Sequence, residues 1–223
     1  MWNLPAPPGF RGFDPSGRVR IYQRHLPHWR QDGATYFVTC RLSDSLPRQR
    51  LRELASIQAQ WQQQVGEQPS NEQREQLARI LMERIERWLD PGAGSCLLAS
   101  PHAAEVVGES LRHFHNHRYE LGCYVIMPNH VHVIVRPLHD EECPLERILQ
   151  GWKSFTSRRL PWPSTCQTRL WQQESFDRII RDEEHLDRCV QYIGSNPLRA
   201  SLSVGYSLWM NPDWENAGWQ FYR

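Results

Sequence analysis

Two apolar, β-branched runs separated by one Pro-Asn pair constrain the fold of this chain most strongly. They are residues 119–127 (YELGCYVIM) and 130–137 (HVHVIVRP). A connection this short joins antiparallel neighbours, because parallel strands need a crossover of a dozen or more residues. The two runs therefore predict a β-hairpin within an antiparallel sheet.

The remaining segments alternate between strand and helix patterns. β-branched and aromatic residues predict a strand over 33–42, and a short strand is expected over 96–100. Helical patterns and cap residues predict helices over 47–64, 71–89, 102–117, 144–159 and 183–194. Asp182 is expected to cap the last of these helices, and Gly194 with Pro197 to end it. This interleaving predicts one α+β domain, an antiparallel sheet with helices on one face.

The length of 223 residues is sufficient for one good-sized domain. We expect a basic, Pro- and Gly-rich N-terminal arm over 1–31, the folded domain over 32–200 and a C-terminal tail over 201–223. The chain contains no apolar run of about 18 residues, so we predict no membrane span. The first residues do not resemble a signal peptide. The six cysteines include no CxxC pair, which is typical of unpaired thiols in a reducing cytoplasm.

Basic residues are concentrated in two segments, although the formal net charge is only +1. Residues 147–181 contain seven Lys and Arg against two acids, and residues 1–41 contain six Arg against two Asp. Such local excesses are typical of surfaces that bind phosphate groups. The alternative is an ordinary solubilising surface.

His130 and His132 lie on the same face of the predicted strand 130–137, since side chains alternate along a strand. Their imidazoles can converge on one ion while the intervening valines point towards a core. Two histidines are too few for a catalytic ion, which usually needs a third protein ligand. The alternative is a pair of histidines satisfied by hydrogen bonds at a sheet edge.

Tyr192 and Asn196 are four residues apart on the last predicted helix, so their side chains lie one above the other. His185 falls on the same stripe, beside the core face. One of the pair can serve as a nucleophile and the other as a carbonyl ligand to the same ion. Because Asn196 precedes Pro197, we expect it at the frayed end of the helix. The alternative is a half-buried tyrosine and a helix-terminating asparagine.

Three motifs in this order resemble the REP-associated tyrosine transposases: YVIMPNHVHVIV, WKSFTSRRL and WQQESFDRIIRDEEHLDRCVQYIGSNPLRA. That family belongs to the His-hydrophobic-His single-strand DNA endonucleases, and the resemblance extends from about residue 25 to about residue 200. It implies a ferredoxin-like antiparallel sheet with helices packed on it. The His-x-His pair would lie on a central strand and the tyrosine on a C-terminal helix. The chain departs from the family pattern at Ser175 and in the tail after Ala200.

The resemblance also implies an activity and roles for individual residues. His130 and His132 match the metal ligands, Asn196 the third ligand and Tyr192 the nucleophile. The implied reaction is cleavage and rejoining of single-stranded DNA at palindromic hairpins through a 5′-phosphotyrosine. The implied ion is Mg²⁺ or Mn²⁺, with no nucleotide cofactor and no membrane partner. A bacterial, nucleoid-associated protein is implied, and a monomer and a homodimer both remain open.

DNA contacts are expected from cations that track phosphates and aromatic side chains that stack on unpaired bases. From the basic segment 147–181 we predict phosphate contacts by Lys153, Arg158, Arg159, Arg178 and Arg181. In the arm, we expect Arg24, Trp29 and Arg30 to contact a hairpin or its flanking bases.

Three other functions remain open at this point. A non-catalytic module would bind palindromes or RNA with no need for metal or Tyr192. A zinc hydrolase would add His113 or His117 to the His pair, but the chain lacks an HExxH helix. An inactive relative would still bind palindromes.

Overall fold

The computed structural model describes residues 4–23, 27–66, 69–89, 91–166 and 168–221. Its strands are β1 (Arg20–Gln23), β2 (Pro27–Arg30), β3 (Tyr36–Arg41), β4 (Tyr119–Ile126), β5 (His130–Pro137), β6 (Phe176–Ile179) and β7 (Ser207–Met210). Its helices are α1 (Arg48–Val65), α2 (Asn71–Leu89), α3 (Pro101–Arg112), α4 (Leu145–Arg159), α5 (Glu183–Arg199) and α6 (Pro212–Asn216). None of the helices in these residues is both long enough and apolar enough to cross a membrane.

The strand expected over 96–100 is wrong. Leu97–Ala99 form a 3₁₀ turn, and Cys96 before them has a left-handed backbone with φ of 50°. A left-handed residue interrupts the extended backbone that a strand needs. The segment instead leads directly into α3.

Five strands form one antiparallel sheet in the order β6-β3-β5-β4-β7. The predicted hairpin is confirmed as β4 and β5, whose turn is closed by a 2.9 Å hydrogen bond from Met127 N to His130 O. β5 is the middle strand. Strands β1 and β2 form a separate two-stranded ribbon.

Helices cover both faces of the sheet, so the expectation of helices on one face is wrong. Val131, Val133 and Val135 of β5 belong to a core shared with α3 and α4. The opposite face, which includes Ile134, packs against the buried stripe of α5. α5 packs on this second face because its apolar stripe must be buried. The stripe consists of Leu186, Cys189, Val190 and Ile193.

α5 begins as predicted, with the Asp182 carboxylate accepting a 2.7 Å hydrogen bond from the backbone N–H of His185. Its predicted end at 194 is wrong, since the helix continues to Arg199. Gly194 is required for packing instead: a Cβ there would lie 2.8 Å from Cβ of Phe221. Pro197 is buried within the last turn, where packing outweighs the missing N–H.

The arm and the tail pack against the α5 face. The Trp214 and Trp219 indoles donate hydrogen bonds of 3.1 and 3.0 Å to the carbonyls of Pro8 and Pro5. The tail adds β7 to the edge of β4, and Gly122 lacks a Cβ where the Trp214 ring approaches. The arm is therefore a packed segment, although the sequence predicted an extended one.

Candidate active site

His130 and His132 lie on β5, on the sheet face that α5 covers. Their exposed fractions are 1% and 0%, and their ring centroids are 4.6 Å apart with the planes at 73°. The strand alternation described above produces this arrangement, because Val131 and Val133, on either side of His132, face the other core. The two imidazoles are thus held side by side in the interior.

A hydrogen bond orients each imidazole. Nδ1 of His130 lies 2.7 Å from the side-chain oxygen of Asn129, whose amide nitrogen donates to the Ala93 carbonyl at 3.0 Å. An amide oxygen only accepts, so His130 carries its proton on Nδ1 and keeps a lone pair on Nε2. Nδ1 of His132 lies 2.8 Å from the Thr39 hydroxyl. Such bonds from the far nitrogen are typical of histidines that bind a metal.

α5 brings Tyr192 and Asn196 to the histidines. The ring centroid of Tyr192 lies 5.2 Å from that of His132, and Asn196 is fully buried. Phe37 of β3 completes the arrangement, stacked on His132 at 5.4 Å and edge-on to Tyr192 at 5.9 Å. Tyr192 and Asn196 share one side of α5, and this side lies against the face of β5 that carries His130 and His132.

Four buried polar atoms of this site have no hydrogen-bond partner in the described residues: Nε2 of His130, Nε2 of His132, and Oδ1 and Nδ2 of Asn196. Unsatisfied buried polar atoms cost free energy and are rare. Two imidazole nitrogens and an amide oxygen together suit a divalent transition metal. The part of the chain that the structure describes has no group of three or more His, Cys, Asp and Glu for a metal, so an ion here would need Asn196.

Both imidazoles are neutral. Burial lowers the pKa of His130 to about 3, with the neighbouring Asn196 side chain acting in the opposite direction. Burial also lowers the pKa of His132 well below its ordinary value, helped by His130, Arg178 and Arg199. Neutral imidazole is the form that binds metals.

One arginine lies against the Tyr192 ring and another against Phe37, which contacts Tyr192 edge-on. Cζ of Arg178 lies 5.0 Å from the Phe37 ring centroid, and Cζ of Arg199 lies 4.9 Å from the Tyr192 ring centroid. Sequence analysis missed Arg199, although its position seven residues after Tyr192 places it on the same side of the helix. Arg181 lies beside His185, to whose Nδ1 its backbone N–H donates a 3.1 Å hydrogen bond. Burial, Arg178, Arg188 and Arg181 together lower the pKa of His185 to about 4.

The structure does not bring the α4 cations to this site. α4 packs on the opposite sheet face, so Arg158 and Arg159 in its last turn are separated from the histidines by the sheet. The Lys153 ammonium donates to the backbone carbonyls of Gln172 and Gln173 at 2.8 and 3.1 Å.

The predicted arm residues have a different setting. Arg30 is buried in ion pairs with Asp177 and, at 2.6 Å, with Glu146. Trp29 is half-buried on β2, and Arg24 lies outside the described residues. Arg30 therefore links β2 to β6 and α4.

The histidines of the zinc hydrolase alternative are also separated from the His pair. His113 follows α3, whose buried side chains belong to the core shared with α4. His117 lies in the turn between α3 and β4. The sheet stands between these residues and His130.

Comparison with known proteins gives one structural match. No protein-family model and no curated protein matches this chain. A solved structure of a REP-associated tyrosine transposase bound to a REP hairpin matches with a TM-score of 0.40 and 15% identity. The match covers 80% of this chain and 72% of that one.

Proposed function

We propose that this protein is a metal-dependent single-stranded DNA endonuclease and strand transferase in which Tyr192 is the nucleophile. The observation that supports this best is the convergence of His130, His132 and Asn196 beside the Tyr192 ring, with unsatisfied ligand atoms on all three. A purely structural set of buried side chains would be expected to satisfy its polar atoms internally.

His130, His132 and Asn196 would hold the ion through Nε2, Nε2 and Oδ1. When bound, Mg²⁺ or Mn²⁺ would polarise a non-bridging phosphate oxygen and offset charge in the transition state. Asn129 and Thr39 hold the two imidazoles in the ligating orientation. The amide orientation of Asn196 is then fixed by the ion, with Oδ1 as the ligand atom.

Tyr192 would attack the phosphorus of a phosphodiester and break the bond to the 3′ oxygen. The products are a 5′-phosphotyrosine and a released 3′-hydroxyl. The phosphotyrosine ester retains the free energy of the phosphodiester bond that was broken. A second DNA 3′-hydroxyl can therefore attack the ester and complete strand transfer. No nucleotide cofactor is needed for this exchange.

Arg178, Arg181 and Arg199 would hold the DNA phosphates around the tyrosine. Guanidinium groups suit phosphate oxygens because their N–H donors form a planar fork. Palindromic hairpins as the substrate follow from the motif resemblance, as does a ferredoxin-like arrangement of β3 to β6. We place the protein in the bacterial cytoplasm near the nucleoid, as a monomer or a homodimer.

The test uses labelled single-stranded DNA that contains the palindromes flanking this gene, incubated with Mg²⁺ or Mn²⁺. The parent protein is compared with Tyr192→Phe, His132→Ala and, as a matched control, Tyr206→Phe at a partly exposed tyrosine. We expect cleavage that is lost in EDTA and in the first two variants but kept in the control. Binding without cleavage, unchanged in Tyr192→Phe, would instead identify a non-catalytic palindrome-binding module.

A further inference from the structure

A cavity lies between the sheet and the helices α1 and α2. Its volume is about 150 Å³, several times that of a water molecule. Its lining combines apolar side chains with a few polar ones: Arg41, Leu51, Leu54, Ala55, Gln58, Leu81, Ile85, Gln172, Glu174 and Phe176. Small-molecule sites have this composition, with apolar walls and a small number of polar groups.

Arg41 is the unusual member of this lining. It is only 6% exposed, and its guanidinium donates one hydrogen bond, of 3.2 Å from Nη1 to the Ser45 hydroxyl. In the residues that the structure describes, no carboxylate forms an ion pair with it. Burial lowers its pKa to about 10, with no opposing anion. Arg41 lines the cavity, and its guanidinium spends one hydrogen bond on Ser45, so its other N–H donors are available to a ligand in the cavity.

The strand register places Arg41 next to the candidate active site. On β3 it pairs directly with His130 of β5, as Thr39 pairs with His132. The hydrogen bond between Thr39 and His132 shows that these pairs share the face covered by α5. Directly opposed residues of an antiparallel pair are neighbours on one face. A DNA strand whose phosphate lies at Tyr192 would therefore pass beside this cavity.

The lining favours a base over a phosphate. Six of the ten lining residues are apolar, and Arg41 is the one cation among the ten. Apolar walls suit the faces of an unstacked base. Among the four bases, guanine offers two adjacent acceptors, O6 and N7, which match the fork of an arginine.

We propose that this cavity binds one unpaired guanine of the DNA strand, with the Arg41 guanidinium donating to its O6 and N7. The proposal depends on the proposed function for the identity of the ligand as DNA. Arg41 then determines sequence preference close to the cut site without taking part in the chemistry.

The test measures binding in EDTA, so that it needs neither metal nor cleavage. Fluorescein-labelled oligo-dT is prepared with one dG, one dA or one 7-deazaguanine at each position in turn. Polarisation is measured with the parent protein, with Arg41→Met and Arg41→Lys, and with Arg52→Met as a control at an exposed arginine of α1. Thermal unfolding of each protein is recorded alongside.

At one position, dG should bind about tenfold more tightly than dA, the discrimination of one bidentate arginine–guanine contact. 7-Deazaguanine, Arg41→Met and Arg41→Lys should remove that preference, whereas Arg52→Met should keep it. Arg41→Met should unfold at the same temperature as the parent protein or higher, because it removes a buried unpaired charge.

Three results would overturn the proposal. They are the absence of any dG-preferred position, a preference that survives Arg41→Met, and equal weakening of all oligonucleotides in that variant, which would indicate a phosphate contact. A guanine preference in a protein that never cleaves DNA would leave this inference standing and contradict the endonuclease. Cleavage of DNA without a guanine preference would support the endonuclease and contradict this inference.

Discussion

The ring of Tyr192 meets the ring of His132 edge-on, with centroids 5.2 Å apart and planes at 74°. This contact joins the middle strand of the sheet to α5 through two residues that are 60 positions apart in the sequence. It places a phenol beside an imidazole whose Nε2 has no hydrogen-bond partner in the described part of the chain. This contact between Tyr192 and His132 is the basis of the proposed tyrosine chemistry.

The residues that orient the histidines should control metal affinity. We expect Asn129→Ala and Thr39→Val each to weaken Mn²⁺ binding by about 10- to 100-fold, because each removes the partner of one Nδ1. Isothermal titration with Mn²⁺ measures the effect. Thr165→Val, at an exposed threonine bonded to Asp44, is the control and should bind as the parent does. Unchanged affinity in both test variants would argue against a metal at His130 and His132.

The arginines beside the tyrosine should affect the reaction but not the metal. Arg178 contacts Phe37 and Arg199 contacts Tyr192. Arg178→Gln and Arg199→Gln are each expected to lower the cleavage rate by about tenfold or more, since each removes a cation that we propose to hold the phosphate. Their Mn²⁺ affinity should equal that of the parent protein or exceed it. Arg84→Gln, at a half-exposed arginine of α2, is the control. Equal cleavage by all four proteins would exclude this role.

We expect His28 to make the free energy of unfolding decrease as the pH becomes alkaline. Burial opposes its charge, but the hydrogen bonds that the His28 ring donates to Asp177 and Glu174 outweigh burial and the repulsion of Arg30, raising its pKa to about 9. An unfolded histidine titrates near 6.5, so between these values only the folded state keeps the proton. Stability should therefore be full below pH 6.5 and fall as the pH rises towards 9.

Urea unfolding at several pH values tests this directly. The titration of a single group can lower the free energy of unfolding by at most about 1.4 kcal/mol per pH unit. His28→Gln should be less stable than the parent at pH 6 and should lose the slope between pH 6.5 and 9. A slope that persists in His28→Gln would assign the titration to another group.

The tail contributes to the stability of the domain. Trp219 is 1% exposed and donates to the Pro5 carbonyl, so Trp219→Ala should cost about 3–5 kcal/mol of unfolding free energy. Trp162 is 46% exposed, and Trp162→Ala should cost much less. Denaturant unfolding of the two variants gives the comparison. Similar small losses would show that the tail is dispensable for folding.

Local sequence patterns were sufficient to predict the hairpin and the cap of α5. They also predicted that His130 and His132 share one face of a strand and that Tyr192 and Asn196 share one side of a helix. They failed where tertiary packing decides: α5 continues past Gly194, a glycine that leaves room for Phe221 and does not end the helix. They also could not give the register of β3 against β5, which places Thr39 and Arg41 beside the histidines. Those partners come from a strand about ninety residues earlier in the chain, and no local periodicity encodes that distance.

The most direct measurement is intact-protein mass spectrometry after incubation with single-stranded palindromic DNA and Mn²⁺. We expect a mass increase equal to the 5′-phosphorylated 3′ cleavage fragment less one water, because its phosphate becomes an ester of the tyrosine. The adduct should map by digestion to Tyr192 and be absent in Tyr192→Phe. Cleaved DNA with no protein adduct, or an adduct on another residue, would contradict the proposed role of Tyr192.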